Sequence, residues 1–142
     1  MSYIIWSDFF RVGVPFIDKQ HHTLIDILNN FYAAYKADIP MKDIFQILNK
    51  LTEYAEQHFQ DEERLMKAAK YPQEELDYHK KEHEQLILDV FDFNDQLFAG
   101  ERQVIFNIEV FLNNWLIKHI LISDKKYQPF CKLVKNFNPV TA

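Results

Sequence analysis

Two stretches of this chain place side chains that bind metals four residues apart. His58 precedes Glu62 by four positions, and His79 precedes His83 by the same interval. On an α-helix, residues four apart are rotated by about 40° and separated by about 6 Å along the axis, so both members of a pair lie on one face. If the two stretches are helical, each pair can therefore hold a metal ion between its side chains.

The periodicity of apolar residues indicates that both stretches belong to helices. Apolar side chains recur at intervals of three and four along four segments, which predicts four amphipathic helices. We place these helices at about residues 19–37, 41–69, 73–98 and 102–122. Pro40, Pro72 and Gly100 lie in the connections between them. Because the connections are short, we predict an all-α fold, an antiparallel up-down-up-down four-helix bundle.

The first residues of the chain differ from the helical segments. Residues 1–17 carry Trp6 and three phenylalanines together with a glycine and a proline, which is too aromatic for a disordered tail and too interrupted for one helix. We predict an N-terminal arm that packs across the bundle, with Asp18 as the N-cap of the first helix. The chain has two glycines and no break in composition, so we expect one domain over residues 1–142.

Charge, hydropathy and cysteine content argue against several classes of function. The net charge of −5 is unfavourable for a nucleic-acid partner, which requires a basic face. No apolar run is expected to approach the ~20 residues of a membrane span, and no export signal is recognised. Cys131 is the single cysteine, so no intramolecular disulfide and no redox role are expected for it. These features predict a soluble, cytoplasmic protein.

The predicted topology brings five histidines to one end of the bundle. His21 begins the apolar stripe of the first helix, and His119 lies on the stripe of the fourth. His58 lies about two-thirds along the second helix, while His79 and His83 lie in the first half of the third. In an up-down-up-down bundle, the start of an odd helix lies beside the end of an even one. All five side chains are therefore expected at one level.

Asp124 is a further candidate ligand that requires a local distortion. It follows His119 by five positions, which is a rotation of about 140° on a regular α-helix. Both can face one site only if the helix ends or widens there, so we expect a distorted last turn. Seven ligands are too many for one transition-metal ion but suit two, with the carboxylates as bridges. The candidate ligands are His21, His58, Glu62, His79, His83, His119 and Asp124.

The types of ligand narrow the choice of metal. Imidazole and carboxylate suit iron, manganese, cobalt or zinc, while the lack of thiolates is unfavourable for a closed structural zinc site. Two ferrous ions, two carboxylates and one hydroxide bridge nearly balance in charge, which makes an iron pair tolerable in a core. The low number of carboxylates differs from glutamate-rich di-iron oxidases and favours reversible binding of O₂. Zinc and manganese remain compatible with the same ligands.

Several motifs together resemble those of a known family. They are "WSDFFRVGVPFIDKQHHTL" near the start, "HFQDEERLM", "YP" and "HKKEH" in the middle, and "WLIKHILISD" near the end. Together they give the pattern H…HxxxE…HxxxH…HxxxxD. The chain resembles the hemerythrin-domain proteins over nearly its whole length, and is similar to the stand-alone bacterial hemerythrins.

The resemblance implies a non-haem di-iron centre with an oxo or hydroxo bridge. It implies that one iron is bound by three histidines and the other by two, respectively His79, His83 and His119, and His21 and His58. Glu62 and Asp124 would bridge the irons. O₂ would bind at a vacant position of the two-histidine iron.

Other polar residues near the motifs are assigned different roles. His22 points about 100° away from His21 and is expected at the surface. Glu63 is a competitor of Glu62, but only Glu62 lies four positions from the preceding histidine. Asp61 is expected to face solvent. Seven residues are interpreted mainly as core, with a possible share in the walls of an O₂ pocket: Leu24, Leu28, Tyr54, Leu86, Leu112, Trp115 and Leu116.

The sequence thus leads to one preferred function and two alternatives. We expect reversible O₂ binding for storage, transport or buffering, without enzymatic activity, and with an unidentified protein acceptor of O₂ as the possible partner. The first alternative is a sensor of O₂, nitric oxide or iron that acts through a partner protein. The second is a di-iron redox enzyme that reduces peroxide or nitric oxide.

Overall fold

A computed structural model describes residues 3–139, and within this range the chain is helical without strands. The four long helices are α1 (Pro15–Lys36), α2 (Met41–Ala68), α3 (Gln73–Phe98) and α4 (Val104–Lys118). A π-helical segment (His119–Asp124), a single α-turn (Lys125–Tyr127) and a 3₁₀ turn (Gln128–Cys131) continue α4. The all-α prediction is confirmed.

The four helices form the antiparallel bundle that the short connections predict. Contacts join α1 to α2, α2 to α3, α3 to α4 and α4 to α1, so each helix packs against two neighbours. Short connections of this kind leave consecutive helices side by side and reversed in direction. The starts of α1 and α3 therefore lie at the same end as the carboxyl-terminal halves of α2 and α4.

The first three helices end in residues with left-handed backbone angles. Asp38, Lys70 and Gly100 have φ values of 55°, 60° and 85°. The N–H of Ile39 reaches the carbonyl of Ala34 at 3.3 Å, as expected when a left-handed residue reverses the chain at a helix end. Such turns satisfy carbonyl groups that the helix leaves without partners, and they allow the next helix to begin within a few residues.

Helix α1 begins at Pro15, four residues before the predicted start. Proline suits the first turn of a helix because its fixed φ is helical and its missing N–H is not needed there. Val14 is the N-cap residue, so the prediction of Asp18 as the N-cap is wrong. The carboxylate of Asp18 instead accepts a hydrogen bond from the backbone N–H of Val12 at 2.7 Å. Asp18 therefore ties the arm to the helix.

The N-terminal arm packs on the bundle as predicted, although its first two residues lie outside the described range. Trp6 stacks on the buried ring of Phe10, with the ring centroids 5.6 Å apart. Further along α1, the side chain of Asn29 bonds both the N–H and the carbonyl of Ile4, each at 2.9 Å. The arm is thus held by side-chain contacts at several levels.

Two apolar clusters make up the core. The larger one fills the bundle from the level of Leu97 and Ile105 towards Phe59. The smaller one joins the arm, the end of α2 and the tail, and includes Ile17 and Leu65. The predicted ligands lie along the helices between these clusters.

One helical stretch is more apolar than the sequence analysis anticipated. The continuous helical residues Val104–Cys131 are long and apolar enough, by length and composition alone, to cross a membrane. In the bundle, Ile105, Ile108 and Leu112 are buried in the larger apolar cluster. This burial is typical of the core helix of a folded domain.

Replacing Asp18 by Ala should loosen the arm. The substitution leaves the buried N–H of Val12 without its acceptor, which should lower the free energy of unfolding by about 1–3 kcal/mol. Urea denaturation measures the loss, and limited proteolysis should show faster cleavage before Pro15. Asp26→Ala, at an exposed position of the same helix, is the matched control. Equal effects of the two substitutions would contradict the role of Asp18.

Candidate metal centre

The seven predicted ligands lie together, and each residue is at most 3% exposed. Their ligand atoms form two groups, within each of which all atoms lie within 4.8 Å of one another. The larger group consists of Glu62, His79, His83, His119 and Asp124, and the smaller of His21, His58 and Glu62. Glu62 belongs to both groups, so the two groups form one continuous cluster.

The π-helical segment brings the last two of these side chains together. His119 and Asp124 are the first and last residues of this segment. In a π-helix the backbone hydrogen bonds join residues five apart, so the turn is wider than in an α-helix. Nε2 of His119 lies 3.0 Å from Oδ1 of Asp124 as a result. The distorted turn expected from their spacing is therefore present.

Glu62 divides its two carboxylate oxygens between the groups. Oε1 lies 2.9 Å from Nε2 of His79 and 3.2 Å from Nε2 of His83. Oε2 lies 3.2 Å from Nε2 of both His21 and His58. One carboxylate oxygen thus faces the three-histidine group and the other faces the two-histidine group, which is the arrangement a bridging carboxylate requires.

The two carboxylate oxygens of Asp124 also face different groups. Its Oδ1 lies 3.1 Å from Nε2 of His79, and its Oδ2 lies 3.0 Å from Nε2 of His21. Both oxygens are fully buried, and in spite of these short distances neither has a hydrogen-bond partner of acceptable geometry within the described part of the chain. A buried carboxylate in this state is costly unless positive charge lies beside it. The residues present therefore fit a pair of metal cations.

The outward-facing nitrogens of the imidazoles support the same conclusion. Nδ1 of His58 lies 2.7 Å from Oε1 of Gln20, and Nδ1 of His83 lies 2.9 Å from Oε2 of Glu63. Because these oxygens accept hydrogen bonds, each Nδ1 carries a proton and Nε2 is left for the cluster. Nε2 of His83 and His119 lie only 3.0 Å apart. Two lone pairs at this distance repel unless a proton or a metal ion lies between them.

The electrostatics show how strongly the cluster attracts positive charge. Burial opposes a charged imidazole, yet the nearby carboxylates of Asp124 and Glu62 raise the pKa of His21 to about 9. The same opposition holds at His79, whose pKa also rises to about 9. Burial lowers the pKa of His58, by contrast. Without a metal, the two carboxylates are therefore balanced by protons on the imidazoles.

Aromatic side chains fix the imidazole planes. Phe59 stacks on His83, with centroids 3.8 Å apart and planes within 5°. Trp115 stacks on His119 at 4.4 Å and 12°. The buried Tyr127, from the tail after α4, donates its hydroxyl to Oε2 of Glu62 at 3.2 Å. These contacts limit the rotation of the side chains of His83, His119 and Glu62.

A small apolar cavity borders the cluster on the side of the larger core. Phe59 and Trp115 line it, and they stack on the imidazoles of His83 and His119, respectively. Of the seven residues considered as walls of an O₂ pocket, all except Tyr54 line this cavity. The complete lining is Leu24, Leu28, Leu51, Thr52, Ala55, Phe59, Leu86, Ile87, Val90, Leu112, Trp115 and Leu116.

Asp61 is not at the surface, so the prediction that it faces solvent is wrong. It is 3% exposed and accepts hydrogen bonds from Nε2 of Gln20 at 2.8 Å and from Nε2 of Gln57 at 3.0 Å. Gln20 in turn contacts His58, as described above. A ligand imidazole requires an acceptor for its second nitrogen, but spacing along the chain does not identify that acceptor.

Three further residues near the cluster are His22 and Glu63, which the sequence analysis considered, and Glu82, which it did not. His22 is exposed, as predicted, with its ring 4.9 Å from that of Trp6. Glu63 contacts the outward-facing nitrogen of His83 and does not belong to either group of candidate ligand atoms. Glu82 was missed by the sequence analysis: its Oε2 lies 3.3 Å from Nδ1 of His119 and accepts a hydrogen bond from Ser123 at 2.8 Å.

Comparison with known proteins agrees with this donor set. The sequence model of the family described as "Hemerythrin HHE cation binding domain" matches residues 12–131, a range that includes all seven side chains. The chain belongs to the hemerythrin family.

Relatives in this family match most of the chain. The bacteriohemerythrin of Clostridium acetobutylicum is 32% identical over 127 residues, which cover 87% of this chain and 97% of that protein. The bacteriohemerythrin of Stenotrophomonas maltophilia is 30% identical, over 89% of this chain and 80% of the relative. The myohemerythrin of Theromyzon tessulatum is 31% identical, over 87% of this chain and 89% of that protein.

A solved structure of the hemerythrin family is also similar. The wild-type hemerythrin crystal structure superposes with a TM-score of 0.77 and 29% identity, over 90% of this chain and 97% of that one. The similarity therefore extends over the whole bundle rather than the motifs alone.

Metal should stabilise the protein through His79. Addition of Fe(II) without O₂, or of Zn(II), is expected to raise the melting temperature, because an ion that binds only the folded state stabilises it. His79→Ala should lose most of this increase, since its Nε2 lies beside both carboxylates. Exposed His22→Ala should keep it. A full increase in the His79→Ala protein would exclude this side chain as a ligand.

Proposed function

We propose that this protein binds O₂ reversibly at a non-haem di-iron centre and serves in O₂ storage, transport or buffering. The observation that carries the proposal is that Glu62 and Asp124 each direct one carboxylate oxygen towards each of two groups of buried imidazoles. Membership of the hemerythrin family supports it. The adjoining apolar cavity gives a small apolar molecule a place next to the cluster.

The ligand roles follow from the two groups. In the proposal, His79, His83 and His119 hold one iron, and His21 and His58 hold the other. Glu62 and Asp124 bridge the two. This assignment is supported by the carboxylate oxygen that each imidazole approaches. It leaves fewer protein ligands at the two-histidine position.

A ferrous pair in this site would supply the two electrons needed for reversible O₂ binding. The protein's part is to admit O₂ and to keep water and protons away. Eleven of the twelve residues that line the cavity are apolar. The exception is Thr52. Its hydroxyl donates a hydrogen bond to the carbonyl of Leu48 at 2.9 Å, so the hydroxyl proton is held within α2. The other polar hydrogen in the lining is the indole N–H of Trp115, which can donate a hydrogen bond but is not an acid at neutral pH.

This shortage of proton donors favours a carrier over a reductive enzyme. Reduction of peroxide to water requires protons at the site of O–O cleavage, and the cavity walls do not provide them. The relatives compared above are named as hemerythrins. We propose that the protein is not an enzyme; a protein acceptor of O₂ and a cytoplasmic location stay predictions.

Visible absorption tests the proposed function directly. Protein reconstituted with Fe(II) under anaerobic conditions should develop a charge-transfer band on exposure to O₂, and the band should fade when argon removes the gas. His58→Ala should abolish the band, whereas His22→Ala should retain it. A band that never forms, or that converts irreversibly to the oxidised state, would contradict a carrier. Steady consumption of peroxide or nitric oxide with a reductant would indicate an enzyme.

Narrowing the cavity should slow the entry of O₂. Ala55→Val adds two methyl groups to the lining and should reduce the O₂ association rate in stopped-flow absorption, with iron content unchanged. Ala34→Val is the matched control, since Ala34 is also buried in a helix but does not line the cavity. Equal rates in the two variants would show that O₂ reaches the cluster by another path.

A further inference from the structure

The two sides of the cluster differ in the acceptors behind their imidazoles. On the three-histidine side, Nδ1 of His83 lies 2.9 Å from a carboxylate oxygen of Glu63. Nδ1 of His119 lies 3.3 Å from a carboxylate oxygen of Glu82. Both acceptors are therefore carboxylates.

On the two-histidine side, no carboxylate of residues 3–139 directly contacts an outward-facing imidazole nitrogen. Nδ1 of His58 lies 2.7 Å from the neutral amide oxygen of Gln20. Nδ1 of His21 is buried and has no hydrogen-bond partner among the described residues. The two sides thus differ in the charge of the acceptors behind the imidazoles and in the number of these acceptors.

The orientation of the Gln20 amide is fixed by its second contact. Its Nε2 donates to Asp61 at 2.8 Å, and a carboxylate such as Asp61 can only accept. The amide oxygen must therefore face His58. The charge of Asp61 lies one side chain further from the cluster than the charges of Glu63 and Glu82, so its influence on the imidazole is weaker.

The side chains of the two glutamates lie partly in solvent. The side chains of Glu63 and Glu82 are 25% and 28% exposed, so solvent offsets part of the cost of an ionised carboxylate. Ser123 adds a hydrogen bond to Glu82 at 2.8 Å. A carboxylate that accepts the N–H of an imidazole makes the other ring nitrogen a stronger metal ligand and fixes the orientation of the ring.

We propose that Glu63 and Glu82 are positioning residues that selectively tighten the three-histidine metal position. Through His83 and His119 they make this position fill first. Gln20 and Asp61 orient His58, but the group that contacts its imidazole is the neutral amide of Gln20. The two-histidine position therefore has the weaker metal-binding nitrogens. The inference rests on the ligand set given under the proposed function. It places the weaker donors at the metal position with fewer protein ligands.

Titration of the metal-free protein with Co(II), in the absence of O₂, tests this inference. Cobalt takes the same nitrogen and oxygen ligands, and its visible absorption reports coordination. The wild-type protein should bind two ions with two distinct affinities. Glu63→Gln and Glu82→Gln should weaken the tighter class by about 10–100-fold each, while the weaker class changes little. Asp61→Asn should weaken only the second class.

Each substitution removes a charge and keeps the shape of the side chain. Glu84→Gln is the matched control, because Glu84 is an exposed glutamate next to His83 in the chain. Without metal, the Glu63→Gln and Glu82→Gln proteins should have the same melting temperature as the wild type, because both side chains are partly exposed. This separates an effect on the metal from a loss of folding.

Three results would overturn the inference. They are one affinity for both ions in the wild type, equal weakening of both classes, and effects of Glu63→Gln and Glu82→Gln no larger than that of Glu84→Gln. Ordered filling without a reversible O₂ band would overturn the proposed function alone. A reversible band with unordered filling would overturn this inference alone.

Discussion

The burial of two carboxylates at the centre of the bundle is the constraint on which the rest of the structure depends. Glu62 and Asp124 are fully buried, and two negative charges at this depth require positive charge beside them. Five imidazoles surround them, each oriented with Nε2 towards a carboxylate. Without metal, the two carboxylates raise the pKa of His21, His79 and His119 against the effect of burial, so these rings are drawn towards the protonated state. Metal cations in the cluster would take over the same role. The fold therefore has to supply a cage of fixed shape before any ion arrives.

Four antiparallel helices provide such a cage because every helix contributes a face at the same level. The one departure from regular helix, the π-helical segment from His119 to Asp124, lies where a carboxylate has to join that level. A widened turn is less stable than a regular one and occurs often at functional sites. Its position here has a direct geometric reason: five residues separate the two side chains that have to meet.

Much of the site could be predicted because its residues follow the same periodicity as the core. The histidines lie on the apolar stripes, so the pattern that predicts the bundle also predicts their convergence. Asp18 and Asp61 were misjudged for a different reason. Each is buried by a partner from another element, Val12 in the arm and Gln20 in α1, and helical periodicity within one segment carries no information about such partners.

The position of the cluster between two apolar cores has a consequence for the cooperativity of folding. The core around Ile105 and the core around Leu65 are separated by a layer of polar side chains. An apolar core propagates order through close packing, whereas a layer of buried ionisable side chains does so less effectively. Metal ions held in this layer would bind residues from all four helices and would join both cores into one unfolding unit. Loss of metal would then permit the end that carries the arm and the tail to open locally while the opposite end of the bundle stays folded.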